Sequence, residues 1–331
     1  AMKKRILTGD TPTGKLHLGH FVGTLENRVK LQSEYETFIL LANTHAFAKE
    51  AKNPGQIEKD TFEDALDNLA VGLDPKKANL VLESAVPEIF ELYTYFSMLV
   101  SHARALRNPT VKDEINYKGL GESVSFGFVG YPILQAADIL VFKADLVPVG
   151  EDQLPHLEQT REIARRFNEL YGETFPVPEG LVGRVARLPG TDGGTKMSKS
   201  LGNCIYLSDD AETVKQKVMA MFTDPTRLHP TDPGHVEDNP VFIYHEAFNP
   251  DKDEVTDLKN RYAAGKVGDV EVKQKLIMAL NNFLDPIREK RFYYESNTEK
   301  VKEIIRTGTE TARLLATETL AEVREKLKLI I

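Results

Sequence analysis

The sequence predicts an α/β protein: a Rossmann-like, doubly wound parallel sheet followed by an all-α helical region. Three observations predict it. Short apolar runs alternate with amphipathic segments as far as Ile205. Those runs end in polar or glycine-bearing loops, which is where open α/β sheets bind ligands. Beyond Tyr206 the strand-like runs cease and only segments of helical period remain.

The first strand is read at Ile6-Leu7, and Pro12 and Gly14 then turn the chain. Leu18, Phe21, Val22, Leu25 and Val29 follow at roughly helical spacing, so a helix starts near Gly19. A strand, a tight turn and a helix N-terminus together make an anion site, through free N–H groups and the helix dipole. His17 and His20 are three residues apart on one side of that first turn. An imidazole N–H can donate to a phosphate oxygen, and Gly19 leaves the backbone bare for a ring or ribose. A histidine pair at this spacing is, by itself, also an ordinary structural feature.

Residues 37–42 read as a second buried strand ending at Asn43-Thr44-His45-Ala46. There His45 either faces a ligand or caps the loop. Residues 56–71 form an amphipathic helix closed by Gly72-Leu73-Asp74-Pro75, and residues 79–82 a third strand. Residues 87–106 are helical and too apolar for one helix face, which predicts a buried helix or a subunit interface. Asn108-Pro109-Thr110 with Gly119, Gly121 and Gly127 reads as a loop-rich crossing. Gly130-Tyr131-Pro132 opens a helix over 133–142, with Tyr131, Gln135 and Asp138 on one face. A solvent-facing stripe is more often Lys and Glu, so this one reads as ligand-facing. Residues 146–149 are the next strand, running into Gly150-Glu151-Asp152-Gln153. A charged helix spans 161–171, and residues 176–189 are irregular. They lead into Lys196-Met197-Ser198-Lys199-Ser200, set among Gly190, Gly193, Gly194 and Gly202.

After Tyr206 helices are read at 211–221, 241–248, 254–262, 270–291 and 298–327. Lys273, Lys275, Arg288, Lys290 and Arg291 lie off the apolar stripe of the fourth of these. Such a pattern reads as a solvated face that would also suit a nucleic-acid contact.

The 331 residues suffice for two domains, and 41% hydrophobic with 28% charged is ordinary for a globular chain. The net charge of −8 argues against a generally basic coat, so a nucleic-acid surface must be a local patch. The one cysteine, Cys204, cannot form an internal disulfide, and a cytoplasmic protein is expected. No apolar run reaches membrane length, and residues 1–5 lack a signal peptide's apolar core.

Gly9–His20 and Lys196–Ser200 resemble the HIGH and KMSKS signatures of class I aminoacyl-tRNA synthetases. The likeness continues through residues 70–75, 107–112, 131–139, 147–153 and 187–200. Over essentially the whole chain the sequence is similar to bacterial tryptophanyl-tRNA synthetases, in the subgroup that includes auxiliary enzymes. That resemblance implies the HUP-type class I fold and a two-step reaction. Tryptophan and ATP give tryptophanyl-adenylate and pyrophosphate, and the tryptophanyl group then passes to tRNA(Trp). It implies Mg²⁺ carried by ATP with no metal ligand from the protein. It implies a homodimer with a helical interface insertion around residues 87–130 of a catalytic domain 1–205. An anticodon-binding domain would span 206–295, and residues 296–331 would be C-terminal helices that could pack back on the catalytic domain.

By the same resemblance, Thr11, Pro12, Thr13, His17, Gly19 and His20 would hold ATP phosphates and ribose. Gly150, Glu151 and Asp152 would hold the adenosine, and Arg187 would also contact ATP. Lys196, Met197, Ser198, Lys199 and Ser200 would close over the pyrophosphate. His17, His20, Lys196 and Lys199 would be the catalytic set. Leu7, Gly9, His45 and Gln135 would line the tryptophan pocket, with Asp138 accepting the indole N–H and Tyr131 and Gln153 holding the α-amino group. Two positions depart from the family's common pattern: His20 stands where Asn is usual and Gln135 where Met is usual. Tyr131-x-x-x-Gln135-x-x-Asp138 also matches the pocket helix of tyrosyl-tRNA synthetases. Leu7, where those enzymes carry a Tyr, and Gly150-Glu151-Asp152-Gln153, in place of their Gly-Ser-Asp-Gln type loop, favour tryptophan. A synthetase-like regulator that no longer charges tRNA is the reading of another class; the intact lysine loop speaks against it.

Overall fold

The computed structural model describes residues 3–185 and 187–330. Among them, β1 (Arg5–Asp10), β2 (Glu36–Leu41), β3 (Ala78–Leu82), β4 (Leu146–Val149) and β5 (Glu179–Val182) form one sheet. Every pairing is parallel and the order is β3-β2-β1-β4-β5. Ile6, Leu7 and Phe38 to Leu41 are buried, so β1 and β2 read as apolar runs rather than alternations. β5 lies inside the stretch expected to be irregular. Its sequence, Glu-Gly-Leu-Val, sits on the sheet edge with its first two residues exposed, so no apolar pattern announces it.

The order reverses between β1 and β4, and a crevice opens at the carboxyl ends of those strands. The ladder there pairs Ile6 with Leu146. Pro148, inside β4, has no N–H, and its carbonyl instead accepts the Thr8 hydroxyl at 2.6 Å. A side chain thus joins the two central strands where they flank the crevice.

Helix α1 runs over residues 18–31, with a π-helical stretch at Phe21–Leu25. α2 (Pro54–Ala70) and α3 (Pro87–Ser97) follow. The expected loop-rich crossing contains a helix, Pro109–Tyr117. Asn108 caps it, accepting from Thr110 N at 3.1 Å, and Pro109 takes the first helical position. α4 (Phe126–Val141) begins well before Ile133, capped by the Ser125 hydroxyl at 3.2 Å from Phe128 N, and Pro132 lies inside it. Gly130 is needed for packing: a Cβ there would meet the Tyr93 hydroxyl of α3 at 2.6 Å. α5 (Leu154–Tyr171) also starts earlier than its charged half.

Beyond Tyr206 the described elements are helical, ending in α6 (Asp269–Glu295) and α7 (Thr298–Lys326). α7 returns to the sheet, with Gly308 so close to β3 that a Cβ would meet Leu80 O at 2.3 Å. Arg313 and Arg324 of α7 pair with Glu88 and Glu91 of α3. One core joins the sheet to α3, α4 and α5. A second joins Leu16, Leu18, Val22 and Leu25 to Leu276, Leu280 and Leu284 of α6, so α1 packs directly on the helical region.

α3 buries Ile89, Leu92 and Phe96, whereas Met98 is 76% and Phe126 90% exposed. The cations of α6 are not a free solvated stripe. Lys273 is buried on the carbonyls of Met219 and Met221, Arg288 donates to Asp209 O, and Arg291 is 3% exposed among carboxylates. Lys275 pairs with Glu254, and Lys290 is exposed. Cys204 is buried and unbridged, and no helix of the described residues is long and apolar enough to cross a membrane.

Candidate active site

A cleft of about 680 Å³ occupies the crevice between β1 and β4. It gathers residues predicted from widely separated stretches. Thr11, Thr13, His17, Gly19 and His20 line it, as do Gly150, Asp152, Gln153, Arg187 and the whole run Lys196, Met197, Ser198, Lys199, Ser200. Leu7, Gly9, His45, Tyr131, Gln135 and Asp138 line it as well. Pro12 and Glu151 do not: Pro12 is buried in the turn and Glu151 is exposed outside the cleft.

At one end the two histidines cap α1 reciprocally. His17 Nδ1 accepts from Gly19 N at 3.1 Å, and His20 Nδ1 accepts from His17 N at 3.0 Å. Their rings lie 3.7 Å apart between centroids. A Cβ on Gly19 would meet the His17 ring at 2.9 Å, so the arrangement requires glycine. With both Nδ1 atoms accepting, each neutral ring carries its proton on Nε2. Burial, the neighbouring imidazole and the lysines hold the His17 pKa down to about 2. Burial lowers His20 to about 4 despite Asp10. Both rings are therefore uncharged N–H donors at neutral pH.

Beneath them Arg28, fully buried, grips Asp10 with both Nη atoms at 2.7 and 2.8 Å. Burial alone would raise the Asp10 carboxyl; the guanidinium overrides it and keeps it below the usual carboxylate range. Across the cleft, Lys199 Nζ donates to Thr13 Oγ1 at 3.0 Å and to Gly14 O at 3.3 Å. Lys196 Nζ meets Asp152 Oδ2 at 2.7 Å. Met197 is buried and its N–H donates to Leu188 O at 2.8 Å, which anchors the loop between the lysines. Asn203 organises the rest, accepting from Ser198 N and donating to Lys196 O.

The other end is apolar with one polar floor. Leu7, Ile139, Val147 and Val149 are buried walls. Gly9 is fixed by β2, since a Cβ would meet Leu40 O at 2.3 Å. On the floor His45 Nε2 lies 2.7 Å from Asp138 Oδ2 and 3.3 Å from Glu83 Oε1. Glu83 Oε2 accepts from Thr44 N at 2.9 Å. Asp138 Oδ1 and Glu83 Oε1 are both buried, and the two carboxyls bond to one another. Burial raises both carboxyls, Glu83 to about 8, so the pair retains a proton near neutrality. The Tyr131 hydroxyl meets His156 Nε2 at 2.9 Å and Glu114 at 3.3 Å, and burial and Glu114 push its pKa up.

A cleft with uncharged donors, two lysines and an apolar pocket fits a phosphorylated nucleotide beside a flat apolar side chain. The family described as class I tRNA synthetases (W and Y) matches residues 2–285. A tryptophan–tRNA ligase of Chlamydia caviae is 48% identical over 332 residues, covering 99% of this chain and 96% of that protein. One from Streptococcus mutans is 51% identical, covering 97% of each. The chain belongs to the tryptophan–tRNA ligases of class I. A tryptophanyl-tRNA synthetase of Campylobacter jejuni solved with ADP and tryptophan superposes with a TM-score of 0.84 at 34% identity, over 98% of this chain and 99% of that one. A tyrosyl-tRNA synthetase of Archaeoglobus fulgidus, at 24% identity and a TM-score of 0.70, shares the fold.

Four polar residues in or just behind this cleft escaped the sequence reading. Glu83 follows β3 in a short 3₁₀ turn, where one more acid carries no signal. Glu114 sits on the helix taken for a loop, and His156 and Asn108 buttress Tyr131 from behind. Glu83 makes a pH-dependent prediction. Its folded pKa of about 8 lies above the model-compound value of 4.5, so the folded state binds the proton more tightly. Stability from this group is intact below pH ~4.5 and is lost as pH rises towards ~8. Glu83→Gln mimics the protonated form and escapes that loss. Its melting temperature should gain on the native protein from pH 5 to pH 8, by about 2–4 °C for each kcal/mol. Parallel melting curves across that range would refute the shared proton.

Proposed function

We propose that this cleft activates L-tryptophan with ATP and Mg²⁺ and passes the tryptophanyl group to tRNA(Trp). One observation carries the assignment of its two ends. Nε2–H donors and two lysines line one end, and an apolar pocket floored by Asp138, Glu83 and His45 forms the other. The tryptophan carboxylate attacks the α-phosphorus, and negative charge grows on the departing pyrophosphate. The protein's part is positioning and charge stabilisation rather than covalent work. His17 and His20 donate to phosphate oxygens without adding charge; Lys196 and Lys199 supply the charge. Thr11, Thr13 and Gly19 border the phosphates and ribose, Gly150 and Asp152 the adenosine, and Arg187 the nucleotide. Gln153 and Tyr131 hold the α-amino group. Mg²⁺ travels on the triphosphate: the one His/carboxylate group among the described residues close enough to hold a metal ion, His45, Glu83 and Asp138, lies at the other end.

The exposed Met98 and Phe126 support a homodimer through residues 87–130, and the helices after Tyr206 are the anticodon-binding region. The lone buried thiol of Cys204 suits a cytoplasmic enzyme. The test is ATP–pyrophosphate exchange, with tryptophan and tyrosine in separate reactions, followed by charging of bulk tRNA. Tryptophan should support exchange and tyrosine should not. Exchange without charging would favour a regulator, and better exchange with tyrosine would replace the substrate.

A further inference from the structure

The peptide that leads into His17 is held from two sides, and both holds trace back to one helix. On one side Leu16 N donates to Asp67 Oδ2 of α2 at 2.7 Å. The other oxygen of Asp67 accepts from Arg291 Nη1 of α6. Arg291 further pairs with Glu63 through Nη2 and with Glu295 through Nε. On the opposite side, Leu207 N donates to Leu16 O and Leu18 N to Ile205 O, both at 3.0 Å, and His17 bridges Tyr206. Tyr206 N in turn donates to Asp209 Oδ2 at 2.9 Å, and Arg288 Nε of α6 donates to Asp209 O at 2.7 Å.

A salt bridge whose role was to pin α6 on α2 would be complete with Glu63. Asp67 is fully buried, and its second oxygen is spent on a loop amide rather than on its own helix. That amide lies one residue before the N–H that orients the His20 ring. A shift of the Leu16 peptide therefore moves the donor pair that faces the phosphates. Arg288 and Arg291 are three residues apart, on one face of α6, and each reaches one flank of the same segment.

We propose that Arg291 and Asp67, with Arg288 and Asp209 opposite, are positioning residues that seat the nucleotide loop, so that ATP affinity depends on how α6 sits. The inference rests on the reading of residues 11–20 as the ATP loop. It makes the helical region a sensor as well as a platform: a displacement of α6 by bound tRNA reaches the histidines through two side-chain links.

The test uses the whole chain, with the Michaelis constant for ATP taken from pyrophosphate exchange and tryptophan affinity from its fluorescence. Arg291→Met should raise the ATP constant by about tenfold or more, and leave tryptophan affinity within about twofold. Arg291→Lys, which keeps a charge beside Asp67, should recover most of the loss. If Arg291→Met does not fold, Arg291→Met with Asp67→Asn removes the bare buried charge and carries the same expectation. An unchanged ATP constant in a folded variant overturns the proposal, as does an equal loss of tryptophan affinity. Failure of the native protein to catalyse exchange overturns the activation reading, and this inference with it; the native control tells the two failures apart.

Discussion

Lys199→Ala is expected to slow adenylate formation by about 100-fold or more while tryptophan binds nearly as before. Lys199 Nζ touches two uncharged oxygens, Thr13 Oγ1 and Gly14 O. Its carboxylate neighbours act only through space, and burial lowers its pKa. The ammonium is thus placed against the loop proposed to receive the phosphates, with no direct ion pair to give up. Lys196 differs, because it is paired with Asp152 at 2.7 Å, both about half exposed. Such a pair is weak, about 0–1 kcal/mol, so Lys196 exchanges Asp152 for a phosphate at small cost. Both interactions strengthen as charge develops on the leaving group, so their loss should appear in the rate rather than in substrate affinity. Single-turnover adenylate formation measures it. A Lys199→Ala rate within a few fold of native would mean that the loop does not face the leaving pyrophosphate.

The segments that bring these groups together were largely legible in the sequence, for local reasons. Pro12, Gly14 and the helical spacing from Leu18 onward announce strand, turn and helix within a few residues, and both histidines fall at the cap. His45 was legible only as one of two alternatives, and its contact with Asp138 depends on a partner 93 residues away. What was not legible depends on partners far along the chain. Asn108-Pro109 spells a turn as readily as a cap with Pro at the first helical position; the buried Asn108 side chain, bonded to His156 and Gln159, selects the second. Pro132 resembles a helix start because a missing N–H is harmless there, yet Ser125 has already capped the helix. β5 is a strand because β4 offers it an edge. Arg291 looks solvated by periodicity, since nothing near it in sequence reveals Asp67, 224 residues away.

The last expectation concerns the indole itself. An indole nitrogen only donates, and a buried carboxyl oxygen such as Asp138 Oδ1 can accept from it. The other oxygen is occupied by His45 at 2.7 Å, which fixes the carboxyl plane. Leu7 and Val149 are apolar on the walls, so no hydroxyl stands at the Leu7 position to pair with a phenol. An analogue with sulfur in place of the indole N–H keeps the shape and removes the donor. A site built around a buried hydrogen bond should reject it by about 10⁴-fold in kcat/KM. Asp138→Ala should weaken tryptophan binding by at least about 1–3 kcal/mol. In that variant the discrimination against the sulfur analogue should collapse towards unity, because both ligands then face the same unpaired floor. The chain contains no tryptophan, so bound substrate is the sole indole fluorophore and its emission reports binding directly. If the native protein activates the sulfur analogue as well as it activates tryptophan, Asp138 does not read the indole N–H, and recognition rests on the apolar walls alone.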